Sequence, residues 1–371
     1  MNNSPFIQER IAAAHIMVVG CGALGNEVLK NLALMGAGHL TLVDFDRVEE
    51  GNLPRSVLYR KADVGQYKVD VAARKLRELN PGIRVRTVCG DIAYDVGLGL
   101  VREMDVVMGC VDSRWARYCI NRVCMRAGVP WVDGGIDLLE GTVRVFVPGV
   151  NCYACNLGPE GLKDLKRRMP CSGIIRRNEE AGHAPTTAVI ASVIGAVQVQ
   201  EALKLLHPEA DMTSLCGKMF YYEGAQLSTR VVEFRGYDPD CPVHDRWEPV
   251  RETAVEGEMS VRQALSCLEQ ELQAPQVTLH LTGDCFVDDV FRRSDDARTR
   301  VMLPGRAVAG FVEQDKELGG LPFSALYQHE YREIDGSFPY PDLSLRELGI
   351  PERDVLSVTT PAGDYYMEMT R

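Results

Sequence analysis

Apolar runs and helix-like spacings alternate through the first 146 residues. Short apolar runs at Ile16–Val19, Leu40–Val43, Val85–Val88, Val106–Cys110 and Trp131–Val132 predict strands. Asn26–Met35, Lys68–Leu79 and Ala116–Ala127 lie between them with helical periodicity. That alternation predicts an α/β fold class, a doubly wound and mostly parallel sheet. Thr142–Phe146 alternates by face, as an antiparallel strand does, and Met219–Tyr222 and Thr229–Phe234 predict further strands. Thr186–Leu206 reads as a long apolar helix with Gly195 inside it. Residues 159–184 have no clear period and hold Lys163, Lys166, Arg167, Arg168, Arg176 and Arg177, which predicts a mobile basic loop. Further on, Ser260 opens an amphipathic helix (Ala264, Leu265, Leu268, Leu272) and Val277–Leu281 is a strand. Leu343–Ile350 is a short helical turn, and Val355–Val358 and Tyr365–Met369 close as a hairpin.

Length and charge divide this pattern. A chain of 371 residues predicts two domains. Residues 1–246 hold 29 acidic and 29 basic side chains, whereas residues 247–371 hold 23 acids and 12 bases, so the whole net charge of -11 sits in the last third. The expected boundary is therefore near Trp247. Nucleic acid is disfavoured as a partner of the acidic region, which suits either plain solubility or a basic protein segment. Met1–Pro5 has no basic n-region and apolar core, and Thr187–Val199 is short for a membrane span and is interrupted by Gln198. The expectation is a cytoplasmic protein with no membrane partner. Twelve cysteines in that setting point to metal, catalysis or burial rather than a disulfide framework.

Candidate chemistry is concentrated between Ile16 and Lys68. Val18–Val19 enters Gly20-Cys21-Gly22-Ala23-Leu24-Gly25, and a helix leaves it: a strand, a tight turn and a helix N-terminus, which suits phosphate. The next strand ends at Asp44, at the spacing where a carboxylate takes ribose hydroxyls, with Asp46 two residues on. These features alone also fit a nicotinamide enzyme. Asn52, Arg55 and Lys68 follow, and the later strand Val106–Cys110 ends in Asp112-Ser113. Fixed cations suit attack on a phosphoryl group, and a carboxylate at a strand end suits magnesium.

This order of an acidic residue, Asn-x-x-Arg, lysine and a post-strand aspartate resembles the MoeB/ThiF/ubiquitin-activating-enzyme superfamily over residues 8 to 246. The resemblance implies a Rossmann-like adenylation domain that uses ATP and Mg2+ to adenylate the C-terminal glycine of a ubiquitin-like β-grasp protein. It assigns the ribose to Asp44, phosphates to Asn52, Arg55 and Lys68, and magnesium to Asp112. Gly20, Gly22, Ala23, Gly25, Asp46 and Ser113 complete the expected nucleotide site. Superfamily dimers carry an arginine upstream of the first strand that reaches the partner's ATP. Arg10 is the one residue here that could substitute, and a homodimer remains allowed.

Cys152-x-x-Cys155 and Cys241-x-x-His244 are two tight pairs flanking one domain, and together they can complete a tetrahedral structural Zn2+ site. Cys-x-x-Cys alone would also suit a redox motif, and the superfamily's usual second pair is Cys-x-x-Cys. Cys171, in the basic loop, is the candidate thioester nucleophile by resemblance to ubiquitin-type activators, and its arginine neighbours favour thiolate. His183 nearby is a catalytic neighbour or a solvated loop residue. Cys89, Cys110, Cys119, Cys124 and Cys216 sit in apolar patterns that predict burial.

In the last third, Leu343–Ile350 and the closing hairpin resemble a ubiquitin-fold domain, which ubiquitin-type activators use to hold a conjugating enzyme. The expectation is a compact activating enzyme from a bacterial conjugation operon. It would adenylate its modifier, capture it on Cys171 and pass it to a conjugating enzyme held by residues 247–371. Two alternatives stay open: a sulfur-carrier adenylyltransferase that makes no thioester, and a pseudo-activator that scaffolds partners.

Overall fold

The computed structural model describes residues 7–168, 186–234, 236–241, 243–288, 290–291, 298–299, 303–304 and 328–370. The chain divides into two compact units. The first runs to Ala93, resumes over Val101–Gly158 and ends at Arg246; the second holds Tyr94–Leu100, the stretch from Pro159, and the chain from Trp247.

The first unit contains β1 (His15–Val19), β2 (His39–Val43), β3 (Arg84–Val88), β4 (Val106–Gly109), β5 (Trp131–Asp137), β6 (Glu140–Phe146), β7 (Lys218–Glu223) and β8 (Ser228–Glu233). They form one sheet in the order β3-β2-β1-β4-β5-β6-β7-β8. Pairing is parallel from β3 through β5 and antiparallel from β5 through β8. The helices are α1 (Gln8–Ala13), α2 (Ala23–Leu34), α3 (Lys68–Leu79), α5 (Arg114–Ala127) and α7 (Ala188–Leu205), while α4 (Leu98–Arg102) and α6 (Tyr153–Arg168) each run across the division between the units. β1 lies between β2 and β4, so the chain reverses direction across the sheet there, and the crevice beyond such strand ends is where ligands bind.

The apolar runs form this core because both sheet faces are covered. Ile16, Val18, Leu40, Leu42, Val106 and Met108 pack with Val28, Leu29 and Leu32 of α2 and Ile190 and Ile194 of α7. By length and composition α7 could cross a membrane, which corrects the expectation from Thr187–Val199 alone, yet half of its most apolar stretch is buried inside the protein. Gln198, which breaks the apolar pattern, is fully buried and useful: its Nε2 donates to the carbonyls of Gly109 at 3.1 Å and Val132 at 3.3 Å.

The expected loop 159–184 is corrected in its first part, because α6 continues to Arg168. A kink at Gly158 (φ 67°, ψ 172°) and Pro159 interrupt the periodicity that would have revealed the helix. The remaining positions, Cys171 and His183 among them, lie outside the described residues.

The second unit holds α8 (Val261–Leu272) and β9 (Val250–Thr253), β10 (Thr278–His280), β11 (Phe286–Asp288), β12 (Val290–Phe291), β13 (Arg298–Thr299), β14 (Leu303–Pro304), β15 (His329–Tyr331), β16 (Glu333–Ile334), β17 (Val355–Thr360) and β18 (Gly363–Met369). Its main sheet runs β16-β10-β17-β18-β9. The β18–β9 pair is parallel and the others are antiparallel. Ser260 caps α8 in a reciprocal box with Gln263. The helix buries Val261, Ala264 and Leu268 with Leu279, Leu345, Leu348, Val358 and Met367. Tyr94–Leu100 joins this unit through its N–H groups: Leu98 N–H donates to the side-chain Oδ1 of Asp354 at 2.8 Å, and Gly99 N–H to the Arg353 carbonyl at 2.9 Å. A side chain at Gly97 would overlap the carbonyl of Glu352.

Candidate functional site

The glycine turn is shaped by three glycines with different reasons. Gly20 has φ +93° and a side chain there would strike the carbonyl of Cys110. A Cβ on Gly25 would overlap the carbonyl of Gly20, so α2 can approach the turn only with glycine there. Gly22, the residue capping α2, has φ -73°, and a Cβ added to it would meet nothing within 4 Å. No described protein atom demands glycine at Gly22; open space next to helix N–H groups is what an approaching phosphate needs. Ala23 is the first residue of that helix.

The turn is braced from behind by side chains that sequence patterns did not single out. Asn26 is fully buried; its Nδ2 donates to the carbonyls of Cys21 (2.7 Å) and Gly22 (2.9 Å), and its Oδ1 accepts from Leu58 N–H at 2.9 Å. Tyr59 Oη donates to the Cys21 carbonyl at 2.6 Å. An asparagine among the apolar positions opening a core helix was the available signal. Through Asn26 the turn is tied to the segment that follows the 3-10 helix Glu50–Arg55.

That 3-10 helix carries Asn52 and Arg55. Asn52 Oδ1 accepts from Glu49 N–H at 3.0 Å, which fixes the helix start. Arg55 is half-buried and, among the described residues, has no hydrogen-bond or ion-pair partner. A guanidinium held without a carboxylate is an anion site in waiting.

Asp44 leaves β2 with its carboxylate turned back to the glycine turn: Oδ2 accepts from Cys21 N–H at 2.6 Å and Oδ1 from Asp46 N–H at 2.8 Å. Burial pushes its carboxyl up, and Lys68 and these two N–H groups partly offset that. Burial opposes the charge on Lys68, but Asp44 and Asp46 outweigh it and hold the ammonium above its ordinary range. Lys68 Nζ lies 2.9 Å from Asp46 Oδ2. Thus Asp44, Asp46, Lys68 and the turn are one bonded group at the ends of β1 and β2.

Asp112 is exposed in the turn after β4, adjacent to β1, where Cys110 N–H donates to the Val19 carbonyl at 2.8 Å. Ser113 caps α5, its Oγ accepting from Ala116 N–H at 3.0 Å. Behind them Asp133 of β5 is fully buried between Arg117 (2.9 Å) and Arg144 (2.6 Å). An aspartate inside the apolar run Trp131–Val132-Asp133 was legible as a buried charge needing a partner.

Cys152, Cys155, Cys241 and His244 meet, their ligand atoms all within 4.8 Å of one another. Zinc ligands about 2.3 Å from a tetrahedral ion lie about 3.8 Å apart, so the four residues fit such an ion. Cys152 Sγ accepts from Asn121 Nδ2 at 3.1 Å, and Cys155 Sγ from Asp238 N–H at 3.4 Å, contacts that stabilise thiolates. Burial pushes the Cys241 thiol up to about 12 without an ion, and a bound cation reverses that. Of the other cysteines, Cys110, Cys119 and Cys124 are buried, Cys216 is half-buried, and Cys89 is exposed just past the edge strand β3, against expectation. Arg10 is taken: it pairs with Glu209 at 2.6 Å and donates to the Leu206 carbonyl at 3.0 Å.

Comparison with known proteins agrees with this geometry. The ThiF family model matches residues 3–243. The chain is 34% identical over 236 residues to the SAMP-activating enzyme E1 of Haloferax volcanii, covering 64% of this chain and 82% of that one. It is 34% identical to the sulfur carrier protein adenylyltransferase of Thermus thermophilus, covering 64% and 84%. It is 35% identical to the mouse adenylyltransferase and sulfurtransferase MOCS3, where it spans about half of the relative's length (48%). Among solved structures, Escherichia coli MccB with succinimide superposes with a TM-score of 0.53 at 25% identity, over 64% of this chain and 68% of that one. With two-thirds of its length on this fold and its glycine turn, acidic strand end and Asn-x-x-Arg set in place, the chain belongs to the ThiF family, within the MoeB/ThiF/ubiquitin-activating-enzyme superfamily.

Proposed function

We propose that this ATP-dependent adenylyltransferase activates the C-terminal glycine of a ubiquitin-like β-grasp protein and captures it as a thioester. The observation that carries the adenylation step is the open space at Gly22 in a turn whose neighbour Cys21 is bonded to Asp44, together with the buried Lys68 that Asp44 and Asp46 hold charged. Asp44 takes the ribose hydroxyls; the helix N-terminus, Asn52, Arg55 and Lys68 take the phosphates. Lys68 leaves Asp46 when phosphate arrives. Asp112 would hold Mg2+, which when bound would offset phosphate charge. A carboxylate oxygen of the modifier attacks the α-phosphorus, the bond from that phosphorus to the bridging oxygen breaks, and pyrophosphate leaves. Arg55 and Lys68 stabilise the charge that builds on the phosphoryl oxygens.

Cys171 thiolate then attacks the acyl carbonyl of the adenylate, AMP leaves, and the modifier is held as a thioester. Residues 247–371 hold a conjugating enzyme through their acid excess and ubiquitin-fold-like sheet. Zn2+ at Cys152, Cys155, Cys241 and His244 is structural, since four protein ligands leave no position for water. The protein works in the cytoplasm, with or without a homodimeric partner.

A second reading, sulfur-carrier adenylation without a thioester, draws support from the Thermus and MOCS3 relatives, whose identity equals that of the E1-named relative to within one per cent. Intact-mass analysis after mixing the protein with ATP, Mg2+ and the β-grasp protein encoded beside it separates the two. A thiol-labile adduct lost in Cys171→Ala supports the thioester. Adenylated modifier without an adduct sinks it.

A further inference from the structure

Beyond Cys110 the chain leaves the β-ladder, and nothing in a strand pattern fixes the turn Val111–Ser113 that carries Asp112. Arg117 reaches back one helical turn to do so. Its Nη2 donates to the Val111 carbonyl at 2.7 Å and to the Gly134 carbonyl at 3.1 Å, and Nη1 lies 3.4 Å from the Asp112 carbonyl. Its Nε donates to Asp133 Oδ1 at 2.9 Å. One planar fork therefore ties the turn after β4 to the middle of β5, at Gly134, while its charge is balanced by a fully buried carboxylate. Asp133 is in turn held by Arg144, so the fork cannot swing without uncovering a buried charge.

We infer that Arg117 is the positioning residue for the Asp112 turn: it touches no substrate, and it sets where the Asp112 carboxylate meets Mg2+. This rests on the reading of Asp112 given above. Arg117→Lys is the informative change, because it keeps the charge opposite Asp133 but replaces the fork by a single ammonium that cannot serve both the Val111 turn and Gly134. Loss of such a supporting contact costs about 10- to 100-fold in metal affinity.

The test measures ATP–pyrophosphate exchange against Mg2+ concentration for the full chain, Arg117→Lys, Asp112→Asn and the double variant, with ATP binding by calorimetry in the absence of Mg2+. The expected result is a half-saturating Mg2+ raised about tenfold or more in each single variant, no further rise in the double, and unchanged metal-free ATP binding in Arg117→Lys. Should Asp112→Asn raise the Mg2+ requirement while Arg117→Lys does not, or should the two effects add, the inference is overturned and the Asp112 reading stands. An Asp112→Asn variant with normal Mg2+ dependence sinks the Asp112 reading and the inference with it. Loss of metal-free ATP binding in Arg117→Lys would make Arg117 a support of the whole nucleotide site, which also overturns the inference.

Discussion

At the strand ends of the first unit, buried charge is only half satisfied by the protein: Asp44 is fed by backbone N–H groups, Lys68 leans on the half-exposed Asp46, and Arg55 has no partner among the described residues. In the second unit Asp288 is closed on all sides. His329 Nδ1 lies 2.8 Å from one oxygen, and the hydroxyls of Tyr331 and Tyr340 donate to the other at 2.9 Å and 2.6 Å. An unfinished set of cations and donors is made to be completed by something from solution. The Asp288 carboxylate, with both oxygens occupied, instead ties β11 to β15 and to Tyr340. The contrast separates charges that keep bonding capacity among the described residues from a carboxylate whose two oxygens are both occupied.

The sharpest way to break this comparison is at the glycines. Gly25→Ala is expected to destabilise the first unit by about 3 kcal/mol or more, since the added carbon meets backbone rather than a flexible side chain. Gly22→Ala should change stability by at most about 1 kcal/mol yet weaken ATP binding, because only the ligand needs that space. Equal melting losses in a denaturation series would remove the distinction. Next in size, Asp288→Asn should cost about 1 kcal/mol by disturbing three partly buried hydrogen bonds, read as a lower melting temperature with pyrophosphate exchange intact.

Acid sharpens the same point. Burial raises the Asp288 carboxyl, but the donors Tyr340, His329 and Tyr331 outweigh it and hold it below its ordinary range. A depressed folded value means the contribution is complete above about pH 4, the unfolded range, and fades as pH falls through the lower folded value. Unfolding followed from pH 5 to pH 2 should show a falling melting temperature that Asp288→Asn makes flatter. The smallest structural effect is expected at Arg55. Arg55→Ala should leave stability within about 0.5 kcal/mol and reduce exchange by about 100-fold or more; a stability loss comparable to that of Asp288→Asn would mean Arg55 has a structural partner after all.

Much of the geometry around the glycine turn was legible because its parts are local. Gly20 to Gly25 is one strand, one turn and one helix start, and Asp44 sits at the end of the next strand, so spacing alone carries the geometry. The bracing was not legible, because Asn26 meets Leu58 and Arg117 meets Asp133 across the fold, and single-chain periodicity is silent on such pairs. The meeting of Cys152, Cys155, Cys241 and His244 was readable despite a separation of 89 residues between Cys155 and His244, since each half is a short pair with its own signature. Helix α6 was lost to Gly158 and Pro159, which look like loop residues and instead mark a kink.

The attachment of Tyr94–Leu100 to the second unit also orders events during synthesis. Leu98 and its partner Asp354 are 256 residues apart in the chain. At about 5–20 residues per second, the ribosome delivers Asp354 roughly 10–50 s after Leu98. The sheet from β1 to β5 has time to assemble while this short segment waits unpaired for the C-terminal hairpin. A chain released early would therefore leave the Leu98 and Gly99 N–H groups without their C-terminal acceptors, a mark by which quality-control proteases could tell incomplete chains from complete ones.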